Sequence, residues 1–203
     1  MSFRFILNFV LCDLNLDMYK DTSLKRYLDA LAAKLPAPGG GSAAALTAAM
    51  GAALISMVVN FTLGKPKYAK YENQLKEILE KSEKLRNDFL NLVDLDVAAY
   101  KSKNIRSALD VPFMVCRLCF ESIKLCTPLI KKGNINLISD VAVAAVLLES
   151  AFASAYLNVE INLKMLGDKT LTKSIRKELM KKEKLIKKIR LQTEDKVGKI
   201  IRG

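Results

Sequence analysis

Residues 42–60, SAAALTAAMGAALISMVVN, contain no charged side chain. The segment follows a Pro-Ala-Pro sequence and three consecutive glycines, and it is long enough to cross a bilayer as a helix. Alanine, serine and threonine contribute little to membrane insertion, so this composition favours another structure. Small residues allow neighbouring helices to approach from every side. The segment therefore predicts the central helix of a bundle, with Ser42 as its N-cap.

The rest of the chain also favours helices. No stretch alternates apolar and polar residues with a period of two, and only 9 Gly and 5 Pro interrupt 203 residues. Short connections between the predicted helices indicate an all-α antiparallel bundle. We assign residues 1–17 to an N-terminal extension and residues 18–203 to a single domain. Six helices are predicted at about 22–34, 42–62, 66–101, from Ser107 or Pro112 to 133, 139–165 and 168–203.

The net charge of +12 is concentrated in the last predicted helix. Residues 168–203 hold 13 basic and 5 acidic side chains, a surplus of eight positive charges. One interpretation is a basic surface that binds nucleic acid or an acidic partner. The interpretation that we favour is a solvated amphipathic helix. Its inner face would carry Leu171, Ile175, Leu179, Ile186 and Ile189.

The absence of histidine excludes Ser-His and Cys-His catalytic pairs. Three of the four cysteines, Cys116, Cys119 and Cys126, are spaced by three and seven residues and so share one face of a helix. Buried thiols are favoured over a metal or redox site. Free cysteines indicate a reducing cytoplasm. We therefore expect no metal site at these cysteines.

Asp96 lies on an otherwise mostly apolar stripe of the third predicted helix. Burial would raise the pKa of its carboxyl group and make it a usable acid or base. A structural aspartate bonded to a helix end or a lysine remains the alternative. Asp94 is two residues away, about 200° around the helix, and is predicted to be solvated. The stripe comprises Leu75, Ile78, Ser82, Leu85, Phe89, Leu92, Asp96 and Ala99.

Two other segments carry candidate binding residues. The turn formed by Gly39, Gly40 and Gly41 places free N–H groups at a helix start and leaves room for a flat ring. Tight packing of two helices is an equal alternative. In the fifth predicted helix, Asn158 and Asn162 lie one turn apart, where they can bond a ligand or another helix. Asp140 stands at the start of that helix, where Ser139 or Asp140 could serve as its cap.

Several motifs together resemble one known family. They are PAPGGGSAAALTAAMGAAL, GKPKY, LVDLDVAAY, NINLISDVAVAA and AYLNVEINL, in that order over about residues 22–168. The family is that of formimidoyltetrahydrofolate cyclodeaminase and methenyltetrahydrofolate cyclohydrolase. In some members it is the C-terminal domain of a formiminotransferase-cyclodeaminase. Pro66 departs from the family, since it stands where a basic residue is usual.

The resemblance implies an all-helical homodimer that acts on tetrahydrofolate derivatives, including polyglutamylated ones, without metal, nucleic acid or membrane. Asp96 matches the family's proposed catalytic position. Lys65 and Lys67 are expected to attract the anionic glutamate tail of the substrate. The remaining residues expected to bind substrate are Gly39, Gly40, Gly41, Ser42, Asp140, Asn158 and Asn162.

The resemblance leaves two reactions open, the cyclodeaminase and the cyclohydrolase. Both occur at the N5–N10 bridge of the folate. The chain also differs from the family after Asp96, because only 16 positions separate Asp96 from Pro112 and the family's connection is longer. This difference predicts either a more open site or a loss of folate activity.

Overall fold

The structure is a computed structural model that describes residues 18–203. Within this range there are seven α-helices, three short 3-10 helices at Tyr19–Asp21, Pro66–Tyr71 and Ile135–Leu137, and no strand. The predicted extension and Cys12 lie outside the described residues. The prediction of an all-α bundle is confirmed. The α-helices are α1 (Leu24–Ala32), α2 (Gly40–Asn60), α3 (Glu72–Lys101), α4 (Ile105–Ile123), α5 (Cys126–Lys132), α6 (Ile138–Leu166) and α7 (Lys169–Arg202).

Helix α2 lies at the centre of the bundle. Its alanines Ala45, Ala48 and Ala52 are fully buried, as the small-residue composition predicts. A Cβ atom on Gly51 would lie 2.8 Å from Leu148 Cγ on α6, so a glycine at this position permits the close crossing of α2 and α6. By length and composition α2 and residues 135–166 could each cross a membrane, but 61% of the α2 window is buried inside the bundle.

Helices α2 and α3 run antiparallel. Ser42, at the start of α2, contacts Asp96 near the end of α3. Ser56, near the end of α2, contacts Ser82 in the first half of α3 at 2.8 Å between the hydroxyl oxygens. This arrangement places the glycine turn beside the last turns of α3.

Local signals explain most helix ends. The Ser23 hydroxyl accepts a hydrogen bond from the Arg26 N–H at 3.2 Å and caps α1. Asp168 caps α7 in the same way through Leu171. Gly167, with φ 71°, ends α6 in the left-handed conformation that favours glycine.

Two predicted helix caps and two predicted helix starts are wrong. Helix α2 begins at Gly40 with Gly39 as its N-cap, so Ser42 lies inside the first turn. The segment after Pro66 is a 3-10 helix, and α3 begins at Glu72. Leu137 precedes α6, so neither Ser139 nor Asp140 is its cap. The fourth predicted helix starts at Ile105 and is divided into α4 and α5 at residues 124–125.

Pro112 lies inside α4 rather than at its start. Proline has no N–H, so it cannot bond the carbonyl of Ala108 one turn earlier. The Asn162 side chain on α6 supplies the missing donor, since its Nδ2 donates to the Ala108 oxygen at 2.6 Å. A buried backbone acceptor is thereby satisfied, and the proline is tolerated within the helix.

Helix α7 covers the bundle with an apolar face, as predicted. Ile175, Leu179 and Ile186 are buried, and Leu171 and Ile189 are half-buried. Its polar face makes ion pairs with its neighbours, such as Arg176 with Glu160 of α6.

The three described cysteines, Cys116, Cys119 and Cys126, are buried free thiols, as their spacing predicts. Burial raises the thiol pKa of all three.

Candidate active site

Asp96 is held at the N-terminal end of α2. The Ser42 N–H donates a hydrogen bond to Asp96 Oδ2 at 2.9 Å. The side chain is half-buried, and burial raises the pKa of its carboxyl group to about 6, although the Ser42 hydrogen bond acts in the opposite direction. A carboxyl group with this pKa is mostly ionised at neutral pH and readily takes up and releases a proton. The inward position predicted for Asp96 is confirmed.

Gly41 is the glycine that permits this contact. A Cβ atom at position 41 would overlap Asp96 Oδ1 and lie 2.7 Å from Asp96 Cγ. Real Cβ atoms do not approach another atom so closely, so any side chain here would displace the carboxylate. The reason for this glycine is close approach, because its φ is not positive.

Gly39 and Gly40 have more space around them. A Cβ atom on Gly39 would have no described atom within 4 Å. A Cβ atom on Gly40 would lie 3.5 Å from Asn158 Nδ2, which is an ordinary contact distance. Neither residue has a positive φ. Among the described residues nothing requires glycine at these two positions. The space beside Gly39 is open to a ligand, and Asn158 borders the space beside Gly40.

The prediction that Asp94 is solvated is wrong. Its exposed fraction is 5%, and its Oδ1 accepts a hydrogen bond from the Tyr19 N–H at 2.7 Å. The short helix Tyr19–Asp21 packs over this face of α3, and burial raises the pKa of the Asp94 carboxyl group. Oδ2 has no hydrogen-bond partner among the described residues. Asp94 and Asp96 do face different ways, since Asp94 accepts a hydrogen bond from Tyr19 and Asp96 accepts one from Ser42.

Tyr27 is a further residue of the site that the sequence did not single out. It is buried on α1, and its hydroxyl oxygen lies 3.2 Å from the Ser42 hydroxyl oxygen. Ser42 therefore touches Asp96 through its backbone and Tyr27 through its side chain. The sequence signal that could have identified Tyr27 is its position. It lies on the apolar face of a short helix, four residues after the N-cap Ser23.

A cavity of about 500 Å³ lies one helical turn beyond Asp96, whose own side chain does not line it. Ala99 and Tyr100 line it one turn after Asp96, and Asn162 lines it one turn after Asn158. The amide nitrogens of both asparagines are engaged, by the Ser154 carbonyl at 2.9 Å and by the Ala108 carbonyl. No hydrogen bond is recorded to either amide oxygen within residues 18–203. Both oxygens are therefore available as acceptors.

The other three predicted site residues lie at the opposite end of the bundle. Lys65 and Lys67 follow the end of α2, whose 21 residues extend for about 30 Å. Asp140 is in the first turn of α6, 18 positions before Asn158 and hence about 27 Å away along the axis. Within one chain these residues do not join the cluster around Asp96.

The sequence profile of the family described as formiminotransferase-cyclodeaminase matches residues 23–103 and 101–181. A methenyltetrahydrofolate cyclohydrolase of Methylorubrum extorquens is 40% identical, and the match covers 80% of this chain and 89% of that protein. A formimidoyltransferase-cyclodeaminase of Mus musculus is 30% identical over 73% of this chain. The match spans about a third of that longer protein, 32% of its length.

A solved structure shares the fold. It is formiminotetrahydrofolate cyclodeaminase from Thermotoga maritima, with a TM-score of 0.85 and 31% sequence identity. The match covers 90% of this chain and 98% of that structure. The sequence profile, the relatives and the shared fold agree with the motifs around Asp96. The chain belongs to the formiminotransferase-cyclodeaminase family.

Proposed function

We propose that this chain catalyses a one-carbon conversion at the N5–N10 bridge of a tetrahydrofolate derivative. The observation that carries the proposal is the Asp96 carboxyl group, whose pKa of about 6 is set by burial at the start of α2. Open space at Gly39 and the cavity one turn beyond Asp96 provide room for a substrate. A folate-sized molecule placed there would present its reacting atoms to a group that both accepts and donates protons.

We assign the cyclohydrolase reaction as the main activity. The relative with 40% identity carries that name, and the match covers most of its length. Water attacks the carbon that joins N5 and N10 of methenyltetrahydrofolate. The Asp96 carboxylate takes one proton from this water and delivers it to N5 as the bond between N5 and carbon breaks. The second proton of the water goes to solvent, and 10-formyltetrahydrofolate results.

The same site supports the cyclodeaminase reaction as the second candidate, which the mouse and Thermotoga relatives favour by name. N10 attacks the carbon of the protonated formimino group on N5 and forms a tetrahedral aminal whose N10 still carries its proton. Asp96 moves the proton from N10 to the leaving nitrogen, ammonia departs, and methenyltetrahydrofolate is produced. Both reactions require one group that accepts a proton and then donates it beside the same carbon.

The test is to incubate the protein with each substrate separately and to record the absorbance of the methenyl group. The cyclohydrolase consumes this absorbance and the cyclodeaminase generates it. We expect loss of the absorbance with methenyltetrahydrofolate, at a rate that increases in proportion to protein concentration. If neither substrate changes faster than in buffer alone, the proposed function is refuted.

The proposed chemistry needs only a folate and water, or a folate that loses ammonia, so we propose that neither metal nor cofactor takes part. Polyglutamylated folates are proposed substrates because the cavity opens at a basic rim. We propose a reducing, cytoplasmic setting on the basis of the buried free thiols.

We also propose a homodimer. Helices α2 and α6 are neighbours, and both expose apolar side chains on the outside of the bundle: Met50, Val143, Leu157 and Ile161. The exposed fraction of Leu157 is 74%. We propose that these side chains lie at the interface between the two copies. The mass of the protein in solution tests this proposal.

The alternative of a nucleic-acid-binding helix has less support. Several cations of α7 are paired with carboxylates, as in Arg176 with Glu160, Lys187 with Glu183 and Lys199 with Asp195. Paired cations release fewer counterions on binding a phosphate backbone. We therefore propose that nucleic acid is not a partner.

Substitution of Gly40 by alanine tests the ligand role of the glycine turn. We expect the KM for the folate to rise about tenfold, because the methyl group would enter the space that a flat ring must occupy. The melting temperature should change little, because the new Cβ has ordinary contacts with Asn158 and alanine suits a helix. Steady-state kinetics and thermal unfolding measure the two effects. A lower melting temperature with an unchanged KM would show that the turn serves packing alone.

A further inference from the structure

We propose that Lys101 and Lys103 form a subsite for the anionic glutamate end of the folate substrate. Both residues line the cavity that lies one turn of α3 beyond Asp96. They belong to the short connection between α3 and α4. The proposal deepens the proposed function and rests on it.

The cavity has an apolar interior and a basic rim. Pro36, Ala99, Ile105 and Met165 contribute apolar surface, while the Asn162 amide oxygen is an available acceptor. An aromatic ring system with a few polar atoms matches this lining. Lys101 ends α3, five residues after Asp96, and Lys103 follows in the turn to α4. A substrate whose reacting end lies at Asp96 would extend through the cavity to this rim.

Neither ammonium group is committed elsewhere. Both lysines are exposed, and no ion pair within residues 18–203 involves them. The neighbouring cation, Arg106, is already paired with Asp110 at 3.3 Å. The surplus of positive charge on this rim is therefore carried by Lys101 and Lys103, and a carboxylate is the natural partner for such a pair.

The connection is short and locally ordered. Lys103 has a φ of 55°, in the left-handed region, and its N–H donates to the Tyr100 carbonyl at 3.2 Å. Ser102 bonds back to Ala99, and Asn104 caps α4 through Arg106 and Ser107. The turn thereby fixes where the two lysine side chains leave the backbone.

The resemblance to the family assigned the same role to Lys65 and Lys67. Those residues lie about 30 Å from Asp96 in one chain, beyond the far end of α2. A substrate bound in the cavity of one chain would meet Lys101 and Lys103 instead. The connection between α3 and α4 thus supplies two cations to the cavity.

The experiment compares two substrates and two double variants. The substrates are methenyltetrahydrofolate and methenyltetrahydropteroate, which has the same pterin and benzoyl groups but no glutamate. The test variant is Lys101→Gln with Lys103→Gln. The control is Lys81→Gln with Lys131→Gln, which removes the same charge from two exposed lysines without recorded ion pairs. The control positions lie toward the far end of α2, since Ser82 contacts Ser56 and Gly133 lies against Val58.

For the test variant we expect the KM for methenyltetrahydrofolate to rise about five- to tenfold, the effect of losing two exposed charge pairs. Its KM for methenyltetrahydropteroate and its kcat for both substrates should match those of the wild type. The control should match the wild type throughout. Added salt should raise the wild-type KM for the glutamate-bearing substrate toward that of the test variant, because exposed pairs are screened.

An equal rise of KM for both substrates, or no rise for either, would overturn the subsite. Failure of the proposed function is distinguishable, since the wild type would then turn over neither substrate. In that case the affinities for tetrahydrofolate and tetrahydropteroate, measured by calorimetry, test the subsite without any need for catalytic activity. A preference of the wild type for tetrahydrofolate that the test variant lacks supports it, and an equal affinity or no binding overturns it.

Discussion

Replacement of Asp96 by asparagine should abolish turnover and at the same time stabilise the protein at neutral pH. The carboxyl group is the proposed proton carrier, and loss of such a group lowers rates by about 10²- to 10⁴-fold. Asparagine keeps an oxygen that accepts the Ser42 hydrogen bond but carries no charge. The variant therefore avoids the free-energy cost of holding a charged carboxylate in a half-buried position. We expect a gain of about 1–2 kcal/mol in the free energy of unfolding at pH 7.5.

The pH dependence of this gain follows from the direction of the pKa shift. The Asp96 pKa rises from 3.8 to about 6 on folding, so between these values the folded state binds more protons than the unfolded state. Wild-type stability therefore contains a contribution that is present below pH 4 and is lost as the pH rises through 6. Asparagine does not ionise, so the stability of the variant does not fall over this pH range. Denaturant unfolding at pH 3.5 and pH 7.5 should show little difference at the lower pH and the full gain at the higher one.

Asp94→Asn is the matched control, two residues away on the same helix. Asparagine retains an acceptor for the Tyr19 N–H, and Asp94 does not touch the Asp96 cluster. Turnover should remain within a fewfold of the wild type. Equal losses of turnover in the two variants would contradict the assignment of Asp96, as would an Asp96→Asn protein that is destabilised at pH 7.5.

Gly41→Ala should have the second-largest effect on activity. The new methyl group would overlap Asp96 Oδ1, so the carboxylate must move away from the Ser42 N–H. A misplacement of about 1 Å in a reacting group costs on the order of 100-fold in rate. The overlap should also lower the free energy of unfolding by about 1–3 kcal/mol. Measurement of kcat and of the melting temperature on the purified variant checks both effects.

A double-variant cycle identifies the cause of these losses. If the methyl group acts through the carboxylate, Gly41→Ala should cost much less stability when Asp96 is already alanine. The same destabilisation in both backgrounds, or a Gly41→Ala enzyme with wild-type kcat, would contradict the close approach of Gly41 to Asp96.

Some of the site could be predicted from local sequence patterns. The position of Asp96 on an apolar stripe follows from helical periodicity, and the burial of α2 follows from its small residues. The Ser23 cap follows from residue type alone. Each of these features depends on residues within a few turns of one another.

Other features depend on contacts between distant parts of the chain. Asp94 is buried because Tyr19 bonds it across 75 positions, and no periodicity in α3 reveals this cover. Pro112 remains inside α4 because Asn162 satisfies the freed carbonyl of Ala108 across 54 positions. The predicted site residues lie at two ends of the bundle because helix α2 runs between them. The sequence motifs do not reveal the distance between the two groups. Prediction failed where tertiary contacts override local preference.

The dependence of kcat/KM on pH tests the role of Asp96 most directly, since this quantity reports the ionisation of the free enzyme. With methenyltetrahydrofolate as substrate and the buffer rate subtracted, activity should rise with pH along a limb whose apparent pKa is near 6, the value set by burial of Asp96. The residual activity of Asp96→Asn should lack this limb. A limb near 3.8, the unshifted value, or a limb near 6 that persists in Asp96→Asn would contradict the account.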